Sequence, residues 1–474
     1  MSDLLEKLKA VLEGDQGCYK NNKINLVVSE GAVPKFCKPR RVPLAFREKV
    51  EAELVRLEET GIISKAPSAD AEWGTPLVPV LKKDSTIRLC ADYRVTVNPF
   101  LKDNHHPFPV IEDIFAALQG GVHFSNLDLK TAYYQLEVDD ETKKLLAWST
   151  HRGVYRMNRL PFGIKTACAI FQATLERVLQ DCSGTVIYLD DVVVTGKSVQ
   201  EHLKNLALVL TRLEKAGFLL NKAKCEFFKP GVNYLGHFID RDGLHKDPNK
   251  VRAITDVRSP KDVKEVRSFV GLANYYAKFC PSLAQHLKPL YDLLKDDARF
   301  SWTGKCQQSF EAVKKLLSDE TFLAHYNRNL SVKLYCDASN EGIGAVITQV
   351  QTDGKERPIS FVSRIFKKHE VNYSVIDREA LAIYFGIQKF SNYLSGRHFT
   401  IMTDHKPLTG LFNRKGVSET AAGRLQRWAM FLSNFDYDIQ HVKGTVNVVA
   451  DFLSRHPVES SDDGVVEVTK QLFS

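Results

Sequence analysis

The stretch Thr185-Val-Ile-Tyr-Leu-Asp-Asp-Val-Val-Val-Thr195 sets two adjacent carboxylates inside an otherwise apolar run. Burying one ionised carboxylate among Val, Ile and Leu is costly unless a cation or a donor compensates it. Two side by side repel unless a divalent ion neutralises them. The β-branched residues on either side predict two strands, with Asp190 and Asp191 at or near the turn between them. A hairpin tip that presents carboxylates to bound metal suits phosphoryl transfer. An Asp-Asp turn with no ion is the plainer alternative, and the pair by itself does not choose between them.

The 474 residues, 44% of them hydrophobic, are enough for several cores, so two to four domains are expected. A formal net charge of +8 suits a polyanion partner without demanding one. The nine cysteines are scattered with no CxxC pair, which points away from a zinc knuckle or a disulfide framework and toward a reducing compartment. The opening Met1-Ser-Asp-Leu-Leu-Glu-Lys-Leu-Lys-Ala10 is amphipathic and charged, unlike a signal peptide. No apolar run approaches the roughly 20 residues that span a bilayer. These features predict a soluble intracellular protein.

Along the chain, residues 1–30 read as a charged and polar extension with one helical stretch. A helix-period pattern runs from Pro39 to Glu59 and ends at Gly61. Thr75–Leu81 and Ile87–Ala91 predict a hairpin with a basic turn. Phe124–Leu129 and Tyr134–Val138 alternate like strands. Ser198 to Ala216 predicts a helix closed by Gly217, and Asn233–Ile239 a short strand region broken by Gly236. The chain then reads as helical from Asp247 to about Leu317. Strands return from Tyr335 to Gln349, and Glu379 to Tyr393 predicts a strong helix. From Ser460 onward no core pattern remains, which predicts a mobile tail.

Upstream of the acidic pair, Asp128 lies in the strand pattern Phe124-Ser-Asn-Leu-Asp-Leu129. Three carboxylates from two strands are a plausible donor set for two Mg²⁺ ions, one activating a 3′-hydroxyl and one carrying leaving phosphates. Between them, Arg159-Leu-Pro-Phe-Gly-Ile-Lys-Thr-Ala167 contains a turn that lets backbone approach a ligand closely; an ordinary turn before a helix is the alternative.

On these residues the chain resembles reverse transcriptases, and most closely those of gypsy-class LTR retrotransposons. The resemblance runs in order from about Val33 to Arg455. It is carried by Arg88-Leu-Cys-Ala-Asp-Tyr-Arg94, Asn126-Leu-Asp-Leu-Lys-Thr-Ala-Tyr133, Leu160-Pro-Phe-Gly163, Tyr188-Leu-Asp-Asp191 and Tyr234-Leu-Gly-His237. It implies an α+β multidomain chain: a right-hand polymerase of fingers, palm and thumb, then an RNase H-like α/β domain. Asp128 and Asp190 would be the main metal ligands with Asp191 in support, and Leu129 is counted in the same metal set. Arg88 and Lys82 or Lys83 would hold the incoming triphosphate. Tyr133 would be the steric gate that excludes a ribose 2′-hydroxyl; a plain core aromatic is its alternative. Phe162 and Gly163 would lie against nucleotide and template, and Tyr234, Leu235 and Gly236 would grip the primer end. Two departures stand out: Cys168 where the family usually has proline, and Val95-Thr-Val-Asn98 in place of the commoner Ala-Leu-Asn.

A second constellation follows. Asp337 is expected at a strand end, Glu379 at the opening of a helix with Leu381, Tyr384, Phe385 and Ile387 on its buried side, and Asp404 at a second strand end. Asp451 follows in Asn447-Val-Val-Ala-Asp-Phe-Leu-Ser-Arg455. Any one of these alone is more often a cap or turn residue. As a set they match the Asp-Glu-Asp-Asp pattern of ribonuclease H, which implies a second two-metal site on a mixed five-stranded sheet. His441, ten residues before Asp451, would aid proton transfer or product release. The stretch before Asp337 is too short for a full connection domain.

The resulting expectation is a reverse transcriptase with ribonuclease H activity, carrying two Mg²⁺ at each site with Mn²⁺ able to substitute. Its partners would be RNA/DNA hybrid, DNA duplex template-primer and deoxynucleoside triphosphates, with no membrane. It would act as a monomer or a substrate-induced homodimer, in cytoplasmic retrotransposon particles. The expected domains are an extension (1–30), fingers and palm (31–240), thumb and connecting helices (241–325), RNase H (326–456) and tail (457–474). A catalytically silent, domesticated nucleic-acid-binding protein is the rival, opposed by the presence of all seven carboxylates. An RNA-dependent RNA polymerase is disfavoured by Tyr133 and the nuclease pattern. An aspartic protease is disfavoured because Asp84-Ser-Thr86 lacks the required glycine.

Overall fold

A computed structural model describes residues 2–67, 71–82, 86–296, 298–413 and 423–442. The chain divides into two compact units, Met1–Val232 and Asn233–Ser474.

In the first unit the described strands are β1 (Ile63–Ala66), β2 (Thr75–Leu81), β3 (Ile87–Ala91), β4 (His123–Asp128), β5 (Trp148–Thr150), β6 (Gly153–Met157), β7 (Thr185–Tyr188), β8 (Asp191–Gly196) and β9 (Glu226–Lys229). They form a five-stranded sheet in the order β1-β6-β5-β2-β3 and a four-stranded sheet in the order β7-β8-β4-β9. The helices are α1 (Ser2–Leu12), α2 (Arg47–Glu59), α3 (Ile111–Ala117), α4 (Asp140–Leu145), α5 (Ala167–Val178) and α6 (Val199–Ala216).

The bounds of α6 follow from its ends. Ser198 Oγ accepts the Glu201 N–H at 3.2 Å, and Glu201 reaches back to the Lys197 N–H at 3.0 Å, a reciprocal cap. Gly217 takes φ +82, the left-handed conformation that ends helices at low cost, and a Cβ there would stand 2.1 Å from the Cys18 carbonyl oxygen. Between these ends Leu206, Val209, Leu210 and Leu213 are buried.

Three expectations need correction. Residues 1–30 are more than a polar extension: Val11, Tyr19, Ile24 and Leu26 are buried in the unit's main core. The helical pattern read within Pro39–Glu59, following Pro43, opens as a 3₁₀ turn at Leu44–Phe46 and becomes α-helix only at Arg47. The strand expected over Tyr134–Val138 is instead a buried 3₁₀ turn, Ala132–Gln135, followed by isolated bridges at Glu137 and Val138. The buried Gln135 amide is the reason: it donates to Lys130 O (2.7 Å) and Leu219 O (2.9 Å) and accepts Leu219 N–H (2.7 Å). Those bonds satisfy backbone groups that a sheet ladder would otherwise have served.

In the second unit, β10 (Gly231–Tyr234, which begins at the division), β11 (His237–Asp240), β12 (Gly243–Lys246) and β13 (Leu323–Ala324) form a small sheet in that order. Helices α7 (Pro248–Thr255), α8 (Val263–Tyr275), α9 (Leu283–His286), α10 (Lys288–Asp292) and α11 (Gly304–Ser318) lie between β12 and β13 in sequence. Then come β14 (Val332–Ala338), β15 (Gly342–Val350), β16 (Glu356–Ile365), α12 (Val375–Lys389), α13 (Ser391–Leu394), β17 (His398–Thr403), α14 (Lys406–Leu411), α15 (Gly423–Leu432) and β18 (Asp436–His441). The sheet order is β16-β15-β14-β17-β18, antiparallel through β16-β15-β14 and parallel through β14-β17-β18: a mixed five-stranded sheet. Glu379 does not open its helix. Ser374 caps α12 by accepting the Asp377 N–H at 3.3 Å, which places Glu379 in the second turn. Among the described residues no helix is long and apolar enough to cross a membrane.

Candidate active sites: two carboxylate clusters

Strands β7 and β8 pair antiparallel, with Tyr188 opposite Asp191, so Leu189 and Asp190 form the turn. Leu189 takes φ +56, a conformation that a branched side chain adopts only when its surroundings hold it there. Gln172 of α5, fully buried, supplies that hold. Its Oε1 accepts the Leu189 N–H at 2.7 Å, while its Nε2 donates to Ile187 O at 3.1 Å and to Glu176 at 2.7 Å.

On the other side of β8, Asp191 lies directly opposite Asp128 of β4. The two aspartates therefore share a cross-strand position, and Asp190 extends beyond them, exposed on the turn. Leu129 is tied in through its N–H, which donates to Asp190 O at 3.4 Å. Burial, then the charges of Asp190 and Asp128, push the Asp191 carboxyl up to about 6 against the counter-effect of Lys224. Lys224 Nζ stands 3.2 Å from Asp128 Oδ2. Crowded carboxylate oxygens with this mutual repulsion are the donor chemistry that hard divalent cations satisfy.

Around this cluster, Tyr133 is 8% exposed, its ring edge-on to Phe162 at 4.9 Å and tilted against Phe171 at 5.0 Å. Its hydroxyl lies 3.2 Å from Cys168 Sγ, and burial, this bond and the nearby charges of Cys168 and Asp190 raise its pKa. The Arg88 guanidinium sits over the Phe162 ring at 5.1 Å. Lys82 is exposed at the end of β2, its N–H donating to Thr86 O at 2.9 Å; Lys83 lies outside the described residues. Gly163 takes φ +91, and its carbonyl accepts Asn98 Nδ2 at 2.8 Å while Asn98 Oδ1 accepts the Lys165 N–H at 3.1 Å. One asparagine thus clamps the end of the Pro-Phe-Gly turn and the backbone just beyond it. Sequence reasoning noted the residues around Asn98 only as a departure and missed this role. It also missed Asp92, whose carboxyl Arg94 and Arg40 hold down to about 2.

In the second unit, Tyr234 is buried and Leu235 and Gly236 take φ +46 and +69. Their carbonyls are gripped from α8 and the residue after it: the Tyr275 hydroxyl donates to Leu235 O, and the Tyr276 hydroxyl to Gly236 O at 2.8 Å.

The other cluster is tighter. Asp337 on β14, Glu379 on α12 and Asp404 just after β17 bring one oxygen each to within 4.8 Å of one another. Among the described residues no other trio of potential ligands is so close. Asp337 is 2% exposed and Glu379 7%, so two of the three carboxyls are held out of water. His441 closes β18 opposite Thr403, and its Nε2 lies 3.1 Å from the Asp404 carbonyl oxygen. Asp451 lies outside the described residues. Of the α12 residues expected to be buried, Leu381, Phe385 and Ile387 are, whereas Tyr384 is only half-buried.

Each cluster falls in a segment that matches a known family. Residues 80–239 match the family described as reverse transcriptase (RNA-dependent DNA polymerase). Residues 327–435 match the RNase H-like domain found in reverse transcriptase. The Tf2-3 transposon polyprotein of Schizosaccharomyces pombe is 35% identical over 424 residues, covering 87% of this chain and 31% of that polyprotein. The Pol polyprotein from transposon 297 of Drosophila melanogaster is 34% identical over 457 residues, 95% of this chain and 42% of that protein. The chain therefore spans less than half the length of these relatives. A foamy viral protease-reverse transcriptase solved in complex with double-stranded DNA shares the fold, with TM-score 0.83 at 21% identity over 93% of this chain and 92% of that one. The same viral protein solved with RNA/DNA hybrid gives TM-score 0.77 at 21% identity over 98% of this chain and 62% of that one. With one carboxylate cluster in each matched segment, the chain belongs to the reverse transcriptase and RNase H portion of LTR-retrotransposon Pol polyproteins.

Proposed function

We propose that this chain copies RNA and DNA templates into DNA and cleaves the RNA strand of RNA/DNA hybrids, using a separate carboxylate cluster for each reaction. The observation that carries the reading is that each cluster lies within, or beside, its own matched family segment: Asp128, Asp190 and Asp191 in the first, Asp337, Glu379 and Asp404 in the second. Reverse transcriptase and RNase H families use divalent metals. Two Mg²⁺ at each site would supply charge neutralisation of phosphate oxygens and activation of the attacking oxygen. In the polymerase site Asp128 and Asp190 would hold the ions, with Asp191 and the Leu129 position in support.

The remaining residues position substrate. Arg88, with Lys82 and Lys83 of the adjoining turn, neutralises the incoming triphosphate, and Phe162 braces Arg88 through its ring face. The Tyr133 ring, wedged between Phe162 and Phe171, gates against a 2′-hydroxyl. Gly163, fixed by Asn98, lets the backbone approach nucleotide and template. The primer 3′-hydroxyl, losing its proton, then attacks the α-phosphate in line as the bond to the β-phosphate breaks and pyrophosphate leaves, a reaction that needs positioning and charge stabilisation above all. Tyr234, Leu235 and Gly236, held by Tyr275 and Tyr276, grip the primer end. In the nuclease site Asp337, Glu379, Asp404 and Asp451 form the metal set. His441, anchored beside Asp404, serves proton transfer or product release.

The partners are template-primer duplexes, RNA/DNA hybrid and deoxynucleoside triphosphates, and the setting is a cytoplasmic retrotransposon particle. Fingers and palm extend over 31–240, the thumb and connecting helices over 241–325, and RNase H over 326–456, with flanking segments 1–30 and 457–474. The protein works as a monomer or as a homodimer formed on substrate. The test is oligonucleotide-primed extension on an RNA template with Mg²⁺, beside cleavage of a labelled hybrid. Both activities are expected; hybrid binding with neither activity would replace this reading with a silent binding protein.

A further inference from the structure

The second unit carries a cleft of about 470 Å³ on the outer side of α12, away from the nuclease cluster. The face is set by helical geometry. At about 100° per residue, Gly386 lies two turns on from Glu379 on the same side of the helix. That side meets the sheet: a Cβ at Gly386 would stand 2.9 Å from Ala345 and 3.0 Å from Cys336 Sγ. Leu381, Tyr384, Phe385 and Gln388, which line the cleft, fall on the opposite side.

Five cations and one carboxylate line this cleft, and they divide into two groups. Arg364 and Arg424 are structural. Arg364 makes a bidentate pair with the 4%-exposed Glu370 at 2.5 and 3.0 Å. Arg424 pairs with Asp377 at 3.2 Å and lies 3.8 Å over the Tyr373 ring. Lys367, Lys389 and Arg427 are exposed at the rim, and among the described residues none of their side chains forms an ion pair, although the Lys367 N–H donates to Glu370 at 2.7 Å. Between them sit the Tyr384 and Trp428 rings, stacked at 6.1 Å with 27° between planes and half-buried.

We propose that this cleft is a binding site for single-stranded nucleic acid: a base rests on the Tyr384–Trp428 aromatic surface, and flanking phosphates meet Lys367, Lys389 and Arg427. Aromatic platforms edged with cations bind unstacked bases without sequence preference, since every base has a π-face. The volume suits a nucleotide-sized occupant. A duplex keeps its bases stacked and has none to offer the rings. An acidic peptide would satisfy the cations but leave the stacked rings without a partner. The site stands on the second unit alone and does not depend on whether the metal cluster cleaves.

The test uses the full chain and a 5-iodouracil-substituted single strand of roughly 12 nucleotides. Photo-crosslinks are expected on peptides containing Tyr384 or Trp428, and they should survive excess RNA/DNA hybrid. The paired variant Lys389→Gln/Arg427→Gln removes two exposed charges without touching the core. It should reduce the salt slope of single-strand binding by about 1.4, at about 0.7 per lost phosphate contact. Its affinity for a short hybrid should stay within about two-fold of the parent. Crosslinks mapping only elsewhere, an unchanged slope, an equal loss of hybrid affinity, or displacement of the strand by polyglutamate as readily as by oligo(dT) would each overturn the proposal.

Discussion

The two carboxylate clusters solve one electrostatic problem in opposite ways. The first is laid across a strand pair and a turn: Asp190 is exposed, Asp191 and Asp128 are half-buried, and Lys224 leans against Asp128. The second is set into its scaffold, with Asp337 and Glu379 nearly inaccessible and three oxygens already within 4.8 Å. On the proposed function, the first cluster must admit a duplex end and a fresh triphosphate at each cycle, and an open, partly solvated arrangement fits that task. A nuclease acting on a backbone that slides past can keep its ligands fixed in advance.

The sharpest way to break this comparison is to remove one carboxylate from each cluster. Asp190→Asn should lower primer extension by about 10³-fold or more while leaving hybrid cleavage within about two-fold. Asp404→Asn should do the reverse. Loss of both activities from either change alone would mean that the clusters are not separate centres.

Next in size is acid sensitivity. His202 of α6 is fully buried beneath β4, its Nε2 2.9 Å from Ser125 Oγ, and burial holds its pKa down to about 4. It folds neutral, while an unfolded chain protonates near 6.5. Its contribution to stability is therefore complete above pH 6.5 and is lost as pH falls toward 4. Urea midpoints at pH 7 and pH 5 should differ more for the parent than for His202→Gln, and equal differences would remove His202 from the account.

Relief of repulsion is smaller. Because the Asp191 carboxyl is pushed up to about 6, ionising it at pH 8 costs the fold stability. Asp191→Asn without Mg²⁺ should raise stability on the order of 1 kcal/mol, or Tm by about 2–4 °C. A fall in Tm would show that Lys224 already neutralises the cluster.

Tyr133→Val should admit ribonucleotides, and the smallest effect comes from the partner of its hydroxyl. Cys168→Ala removes only the partner of the Tyr133 hydroxyl, and should relax discrimination by about 2–10-fold through kcat/KM, the worth of one such hydrogen bond. Cys168→Ser should restore it.

What was legible in the sequence was local. The α6 helix could be read to the residue because its stop and start signals, Ser198, Glu201 and Gly217, act within four positions of its ends. The β2–β3 hairpin and the Asp190 turn followed from alternation, Asp337 and Asp404 from strand-end placement, and their grouping with Glu379 from the family resemblance. What was not legible acts across long separations. Gln135 displaced a strand by bonding to Leu219, 84 residues away, and Lys224 meets Asp128 across 96. Gln172 props up Leu189, and Cys168 touches Tyr133, through packing that no sequence period records. Glu379 was placed at a helix start because the Ser374 cap went unread.

The early chain carries a practical consequence for anyone cutting this protein into pieces. Backbone bonds stitch Cys18 to Gly217, Lys20 to Ala216, Ile24 to Glu137 and Leu220 to Val11. A fragment trimmed to the recognisable family segment, 80–239, would therefore expose one side of α6 and the seam beside the acidic hairpin. The backbone bonds that complete this unit begin well before the recognisable segment, and truncation series should keep the chain from at least Val11.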